Sequence, residues 1–205
     1  MAKRALVSPL VRPSSDALPT DDVCREGRAG RRRALRALSL APLALAARPA
    51  LAIAPSGVRS LSFYHTHTDE RLSVTYHAGG AYLRDAMAQI NALLRDFRTG
   101  ESHAMDEGLL DVLFSLSRAL DGGVFEVISG YRSAATNAKL VANSARVSKN
   151  SLHMQGRAID VRLAGVDTRL LRAAAVELRA GGVGFYPESD FVHLDTGRPR
   201  TWGPA

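Results

Sequence analysis

The sequence predicts one α+β domain in which two helices pack against a small antiparallel sheet. Three observations support this fold class. Segments such as Leu61–His65 alternate apolar and polar residues, as half-buried strands do. In Tyr82–Phe97 apolar residues recur every three or four positions, which places them on one face of a helix. The length of 205 residues suits one domain with a hydrophobic core and is too short for two comparable domains.

The predicted elements follow one another with no internal repeat and no linker after residue 57. A polar turn around Thr68–Glu70 joins the first two strands, Asp106 caps the second helix, and Asp121–Gly123 ends it. The predicted strands are Leu61–His65, Leu72–Tyr76, Val124–Ile128, Ala158–Leu163, Val183–Tyr186 and Phe191–Asp195. The predicted helices are Tyr82–Phe97, the helix that begins after Asp106, the short Ala135–Ala145, and Thr168–Arg179.

Most of the net positive charge lies in about the first quarter of the sequence. The chain carries 27 Lys+Arg and 20 Asp+Glu, a formal net charge of +7, which alone would suggest an acidic partner such as nucleic acid. Residues 1–54 hold 10 of the basic and 4 of the acidic residues, so residues 55–205 have a net charge of only +1. A nucleic-acid partner is therefore not expected.

Residues 1–54 are interpreted as a leader with an export signal. Arg31–Arg33 precede the short apolar run Ala37–Ala47, and small-x-small cleavage sites end at Ala52 and Ala54. The run is too short to span about 30 Å of hydrocarbon as a helix, so no stable membrane anchor is expected. Consecutive arginines are compatible with twin-arginine export, and a disordered basic tail is the alternative. Residues 1–22 are either a long n-region or an upstream extension.

The single cysteine, Cys24, precedes the predicted cleavage sites. The domain at 55–205 therefore has no thiol for a disulfide, for catalysis or for metal binding. Any metal in this domain must be bound by histidine and carboxylate side chains.

A candidate metal site is the most informative pattern in the domain. Ser151–Asp160 reads S-L-H-M-Q-G-R-A-I-D, and Phe191–Asp195 reads F-V-H-L-D. His153, Asp160 and His193 can supply two imidazoles and one carboxylate to one divalent ion. Zinc with three protein ligands keeps a fourth position for water, which is the catalytic arrangement. The sequence therefore predicts a Zn²⁺ site.

Arg132 is the candidate for handling negative charge. It lies in S-G-Y-R-S, directly after the predicted strand Val124–Ile128, where side chains project from the end of a rigid element. Its guanidinium is permanently charged and planar. It can bind a substrate carboxylate or stabilise the oxyanion that forms when water attacks an amide.

Three acidic residues near His193 are candidates for the general base. Asp190, three residues before His193, is preferred as the group that takes a proton from water and passes it to the leaving amine. Asp195 is the rival, and it can instead accept a hydrogen bond from the ligand imidazole. Glu188 is a further candidate on the same loop. The other histidines, His65, His67, His77 and His103, are expected at the surface or at sheet edges.

These motifs resemble a family of bacterial cell-wall peptidases. S-x-H-x-x-G-x-A-x-D, the preceding S-G-Y-R-S and the late acid-x-x-H are similar to zinc peptidases with the Hedgehog/D-Ala-D-Ala-peptidase fold. Within them, the stretch from about Arg59 to Trp202 resembles the exported murein endopeptidase K family.

The resemblance implies a role for each matching residue. His153, Asp160 and His193 match the zinc ligands, and Arg132 matches the arginine that steadies the substrate carbonyl or the oxyanion. Asp190 matches the acid three residues before the last ligand, where many members carry Glu. The implied reaction is hydrolysis of an amide in the stem peptides of peptidoglycan, in a cross-link that involves meso-diaminopimelate. A periplasmic monomer is expected.

Two other functions stay open at this point. A D,D- or L,D-carboxypeptidase would use the same metal site to trim the ends of stem peptides. A non-catalytic, zinc-holding module would bind peptidoglycan without cutting it.

Overall fold

A computed structural model describes residues 57–144 and 147–204 of the chain. The predicted leader at 1–54, with its export signal and Cys24, lies outside the described residues. None of the helices in the described ranges is long and apolar enough to cross a membrane.

Eight strands in the described residues form a single sheet, in the order β3-β2-β1-β4-β5-β7-β6-β8. The strands are β1 (Arg59–His65), β2 (Arg71–Ala78), β3 (Ala81–Tyr82), β4 (Val124–Ser129), β5 (Ala158–Leu163), β6 (Gly182–Tyr186), β7 (Phe191–Asp195) and β8 (Arg200–Trp202). The helices are α1 (Arg84–Leu93), α2 (Glu107–Ala119), α3 (Ala134–Asn143) and α4 (Thr168–Leu178), and a 3-10 helix spans Leu152–Gln155.

The α+β class is confirmed, but the prediction of a small antiparallel sheet is wrong. The sheet is larger than expected and mixed, because β1 pairs with β4 and β6 pairs with β8 in parallel. The chain runs through α1 and α2 between β2 and β4, and this long connection lets β4 return in the direction of β1. The unpredicted β3 and β8 have only two and three residues, too few to show alternation.

Helix boundaries follow local capping. As predicted, Asp106 caps α2, and its carboxylate accepts a hydrogen bond from the Gly108 amide. Helix α1 ends at Leu93, earlier than the predicted Phe97. The reason is Asp96, whose carboxylate accepts a hydrogen bond from the Arg98 amide and so favours a turn over continued helix.

The alternation of side chains along the strands separates the core from the site. In β5, Ile159, Val161 and Leu163 belong to the hydrophobic core, whereas Asp160 between them projects from the other face. In β7, Val192 and Leu194 are likewise core residues, and the residues between them face away.

The expectation that four histidines lie at the surface or at sheet edges is wrong for His65 and His77. His65 is completely buried, because it shares the inward-facing side of β1 with Leu61 and Phe63, and its ring packs edge-on against Phe97. His77 is also buried, and its Nδ1 lies 3.0 Å from the Gly57 carbonyl oxygen. His67 and His103 are exposed, as expected.

Candidate metal centre

A short, tightly capped helix presents His153 to the centre. The Ser151 hydroxyl accepts a hydrogen bond from the His153 amide at the start of the 3-10 helix, and Gly156 ends it with a left-handed φ of 65°. A side chain at Gly156 would also collide with the Ala104 carbonyl oxygen. Ser and Gly in the S-x-H-x-x-G pattern therefore fix the position of His153.

Strand pairing brings the other two ligands together. Asp160 of β5 and His193 of β7 are directly opposite each other in the antiparallel register. Asp160 Oδ1 lies 2.8 Å from His193 Nδ1 and 3.3 Å from His153 Nε2. His153 Nε2 lies 3.2 Å from His193 Nδ1. The structure thus gathers all three predicted ligands into one cluster, although 40 residues separate the histidines.

Hydrogen bonds on the outer side of each ring fix which nitrogen faces the cluster. His153 Nδ1 donates to the Gly130 carbonyl oxygen at 2.7 Å, so its Nε2 faces inward. His193 Nε2 donates to Asp195 Oδ2 at 3.1 Å, so its Nδ1 faces inward. Such partners orient metal-binding imidazoles and select their tautomer.

Asp195 is a buried acceptor with every lone-pair direction engaged. Its Oδ1 accepts from the Gly182 amide, the Gly197 amide and Arg200 Nη1, and its Oδ2 accepts from His193 and from Arg200 Nη2. Burial would raise the pKa of Asp195, but these hydrogen bonds outweigh it and hold the pKa well below the usual range. The alternative that Asp195 orients the imidazole is therefore the one that the geometry supports.

Burial and charge act in opposite directions on the pKa values of the cluster. Burial lowers the pKa of His153. Burial disfavours the ionised forms of Asp160 and His193 too, but their contacts with the cluster and with Asp195 outweigh it. The pKa of Asp160 therefore lies well below its usual range, and the pKa of His193 is raised to about 9. The raised pKa of His193 favours the protonated imidazole between Asp160 and Asp195 when no metal is bound.

The three side chains fit a divalent metal ion. For bonds of about 2.0–2.1 Å, two ligand atoms of a tetrahedral zinc site lie about 3.3 Å apart, and the cluster's separations are 2.8–3.3 Å. The ligand atoms of His153, Asp160 and His193 all lie within 4.8 Å of one another. The two imidazole nitrogens are donors of a type that transition metals favour. A cation between the three ligand atoms would also offset the repulsion between the two imidazole lone pairs and the negative charge of Asp160.

A β-bulge directs Arg132 to the same place. The register between β4 and β5 shifts between Val127 and Ser129, so that Ser129 lies opposite Asp160 and the following loop is re-aimed. Arg132 Nη2 then lies 3.5 Å from Asp160 Oδ2. Its Nε is buried and has no hydrogen-bond partner among the described residues. Burial lowers the pKa of Arg132 below its ordinary value.

Asp96 holds the loop that carries Arg132, a role that the sequence did not suggest. It is 1% exposed, and its Oδ2 accepts from the Ser133 amide at 2.9 Å. Burial would raise the pKa of Asp96, but hydrogen bonds from Thr136 and Ser133 lower it to about 2. On the other side of the loop, the Arg132 amide donates to the His153 carbonyl oxygen. The only sequence signal was an acid directly before Phe97, the last apolar position of the predicted helix.

In the described structure, Asp190 contacts two residues that are not part of the cluster. Its Oδ1 accepts from the Thr168 hydroxyl at 2.8 Å, and its Oδ2 lies 3.4 Å from Arg162 Nη1. Residues three apart on a strand point to opposite faces. In addition, Asp190 lies in the turn directly before β7 and has a left-handed φ of 50°. Glu188 is exposed on the same turn and does not line the cleft above the cluster.

The cluster lies at the base of a cleft of about 540 Å³. One wall is aromatic: Tyr186 and Phe191 stack with ring centroids 4.6 Å apart, and Trp202 donates to the Tyr186 hydroxyl at 2.9 Å. The Trp202 ring also lies 5.1 Å from the His193 ring. Gly184 in β6 leaves room for this indole, because a Cβ there would collide with it. No local sequence pattern indicated this wall, because its members come from three strands.

Comparisons with known proteins agree over nearly the whole described region. A family model described as peptidoglycan L,D-endopeptidase MepK matches residues 53–202. The peptidoglycan L,D-endopeptidase MepK of Escherichia coli (strain K12) is 39% identical over 175 residues, which cover 83% of this chain and 96% of that protein. The probable peptidoglycan L,D-endopeptidase MepK of Haemophilus influenzae is 39% identical over 146 residues, or 70% of this chain and 78% of that protein.

Proposed function

This chain belongs to the peptidoglycan L,D-endopeptidase MepK family, and from that membership we propose that it is a zinc-dependent murein endopeptidase. It hydrolyses amide bonds in the peptide cross-links of peptidoglycan, at a cross-link that involves meso-diaminopimelate. The observation that carries the proposal is the cluster of His153, Asp160 and His193 at the base of an open cleft, beside the buried Arg132.

The residues of the cleft have separate roles. His153, Asp160 and His193 hold the metal, for which two imidazoles and one carboxylate favour zinc. When bound, the metal supplies a Lewis acid that polarises a carbonyl and acidifies water. Asp195 keeps Nδ1 of His193 directed at the centre.

Arg132 supplies the second positive group. Its guanidinium lines the cleft with Nη2 at 3.5 Å from Asp160 Oδ2, so it can donate to the carbonyl oxygen as negative charge develops there. Because the side chain is largely buried, this interaction is less screened by water than at an exposed site.

The proton acceptor is assigned by sequence alone. Asp195 has no free lone-pair direction for this task, as its five hydrogen bonds show. The assignment of Asp190 stays a prediction, because Thr168 and Arg162 engage its carboxylate in the described structure.

The proposal extends to the whole chain. Residues 1–54 act as a leader for export, residues 55–205 form the peptidase domain, and the mature protein works as a periplasmic monomer on stem peptides. Peptidoglycan lies outside the cytoplasm, so an export signal and this substrate support each other.

Mass analysis of muropeptides tests the proposal. The purified protein is incubated with cross-linked muropeptides, with and without a chelator, and then after zinc is restored. Loss of cross-linked dimers, abolished by the chelator and restored by zinc, is expected. His153→Ala should abolish it, whereas the matched control His67→Ala, at an exposed histidine outside the cluster, should not.

Two outcomes would replace the proposal by its alternatives. Shortened monomers with intact dimers would identify a carboxypeptidase. Retention of muropeptides by the metal-loaded protein without any product would identify a peptidoglycan-binding module.

A further inference from the structure

Arg200 presents an unused pair of hydrogen-bond donors in the cleft. Its Nη1 and Nη2 donate to the two oxygens of Asp195 at 3.1 and 2.7 Å, and Nη1 also donates to the Arg198 carbonyl oxygen. These contacts use the edge formed by Nη1 and Nη2 and the outer hydrogen of Nη1. The other edge, formed by Nε–H and the second Nη2–H, has no partner among the described residues. Two parallel donors of this kind match the oxygens of a carboxylate.

The side chain of Arg200 is held in place although it is 40% exposed. The two hydrogen bonds to the buried Asp195 fix the plane of the guanidinium, and its Cζ lies 4.9 Å from the Trp202 ring centroid. Less rotational freedom is therefore lost when a ligand binds to it than for an ordinary surface arginine.

The charges around the cleft favour an anionic ligand. Arg132 and Arg200 both line it, and Asp195 is the only acidic residue among the described lining residues. That carboxylate is fully buried and already accepts five hydrogen bonds, so it does not present free negative charge to the cleft. A divalent ion on His153, Asp160 and His193 would make the cleft more positive.

Arg200 also lies close enough to the cluster to contact a substrate group next to the scissile amide. Its Nη2 is separated from the inward-facing Nδ1 of His193 by the Asp195 carboxylate and one imidazole ring. Consecutive Cα atoms are about 3.8 Å apart, so a substrate spans this separation within one or two residues of the scissile amide.

We propose that Arg200 binds a free carboxylate of the substrate, carried by the residue that supplies the scissile nitrogen. The inference rests on the proposed function and deepens it. A diamino diacid whose second amino group forms the cross-link carries a carboxyl group on the carbon bonded to that nitrogen. The protein then distinguishes this carboxylate from its carboxamide.

A competing explanation is that Arg200 only positions Asp195, and through it His193. The two explanations differ in substrate dependence. A positioning residue affects all substrates equally, whereas a residue that binds a carboxylate affects only substrates that carry one.

The experiment combines two substrates with two variants. The substrates are cross-linked stem peptides that differ only at the amine-side diaminopimelate, with a free carboxylate in one and a carboxamide in the other. The wild type should show a kcat/KM about ten- to hundredfold higher for the carboxylate. Arg200→Gln should bring this ratio close to one, and the matched control Arg198→Gln, at an exposed arginine outside the cleft, should leave it unchanged.

Equal loss of kcat/KM for both peptides in R200Q, with the ratio preserved, would overturn the proposal, and so would a wild type without preference. Should R200Q fail to fold, Arg200→Lys keeps the charge beside Asp195 but cannot offer two parallel donors, and the ratio should still fall at least about threefold.

A binding measurement separates this proposal from the proposed function. Trp202 is the only tryptophan in the chain and lies beside Arg200, so its fluorescence reports occupancy of the cleft. Cleaved stem peptides with the free carboxylate should bind the wild type about tenfold or more tightly than their carboxamides. If neither cross-linked peptide is cut, the proposed function fails, and this titration still decides the role of Arg200.

Discussion

Replacement of Asp195 by asparagine should weaken the metal centre without changing any metal ligand. The two oxygens of Asp195 accept three and two hydrogen bonds, respectively. Asparagine has one acceptor oxygen, which is expected to take the side with three donors, Gly182, Gly197 and Arg200. Its NH2 group then faces His193 Nε2, which can no longer donate. His193 must carry its proton on Nδ1 instead, and that nitrogen is the one that points at the cluster.

The expected magnitude is that of losing a partner that orients a metal ligand. Such losses cost about 10- to 100-fold in metal affinity, which is about 1.4–2.7 kcal/mol. Affinity is measured by competition with a chromogenic chelator at pH 7, with the thermal stability of the metal-free proteins recorded in parallel. Glu188→Gln, at an exposed carboxylate outside the cleft, is the control. An Asp195→Asn protein that binds zinc within twofold of the wild type would refute the argument.

Three more outcomes are expected. The pKa of His193 is raised to about 9 without metal, so a proton competes with zinc for this side chain at neutral pH. The apparent zinc affinity, measured by the same chelator competition, should therefore rise about tenfold per pH unit from pH 7 to 9 and then level off. Because the pKa of Asp96 is lowered to about 2, its carboxylate contributes stability that is present above about pH 4 and lost as pH falls towards 2. The difference in Tm between wild type and Asp96→Asn should therefore shrink over that range, and a constant difference would contradict it. With Asp190 as the proposed base, Asp190→Asn should lower the turnover of cross-linked muropeptides by about 100-fold with unchanged metal content; retained turnover, together with the contacts of its carboxylate with Thr168 and Arg162, would exclude Asp190 as the base.

The cluster of His153, Asp160 and His193 could be predicted from sequence because the spacing of its members follows from local geometry. Ser151 and Gly156 are needed to start and end a short helix around His153, and Asp160 follows on a strand with clear alternation. Each of these constraints leaves a mark within ten residues. The pairing of Asp160 with His193 needs the fold, but the F-V-H-L-D pattern already indicated a strand.

The sequence was less informative where function depends on side-chain direction or on distant contacts. The spacing of Asp190 from His193 does not reveal that a left-handed turn carries its carboxylate to Thr168. Asp96 contacts Ser133 across 37 positions of the chain, and Trp202 donates to the Tyr186 hydroxyl across 16 positions. Such contacts are created by the packing of elements that lie far apart in sequence, so no local sequence pattern predicts them.

Two glycines of strand β6, Gly182 and Gly184, support the centre because they have no side chain. A methyl group at Gly182 would run into Asp195 and Arg200, and one at Gly184 would run into the Trp202 indole. Gly184 pairs with His193 in the strand register, and the lack of a side chain at both glycines leaves room for Asp195, Arg200 and Trp202 to pack against the main chain. In a scan of all substitutions, these two positions should tolerate less change than many residues of the apolar interior, and alanine, usually the mildest replacement, should already be harmful there.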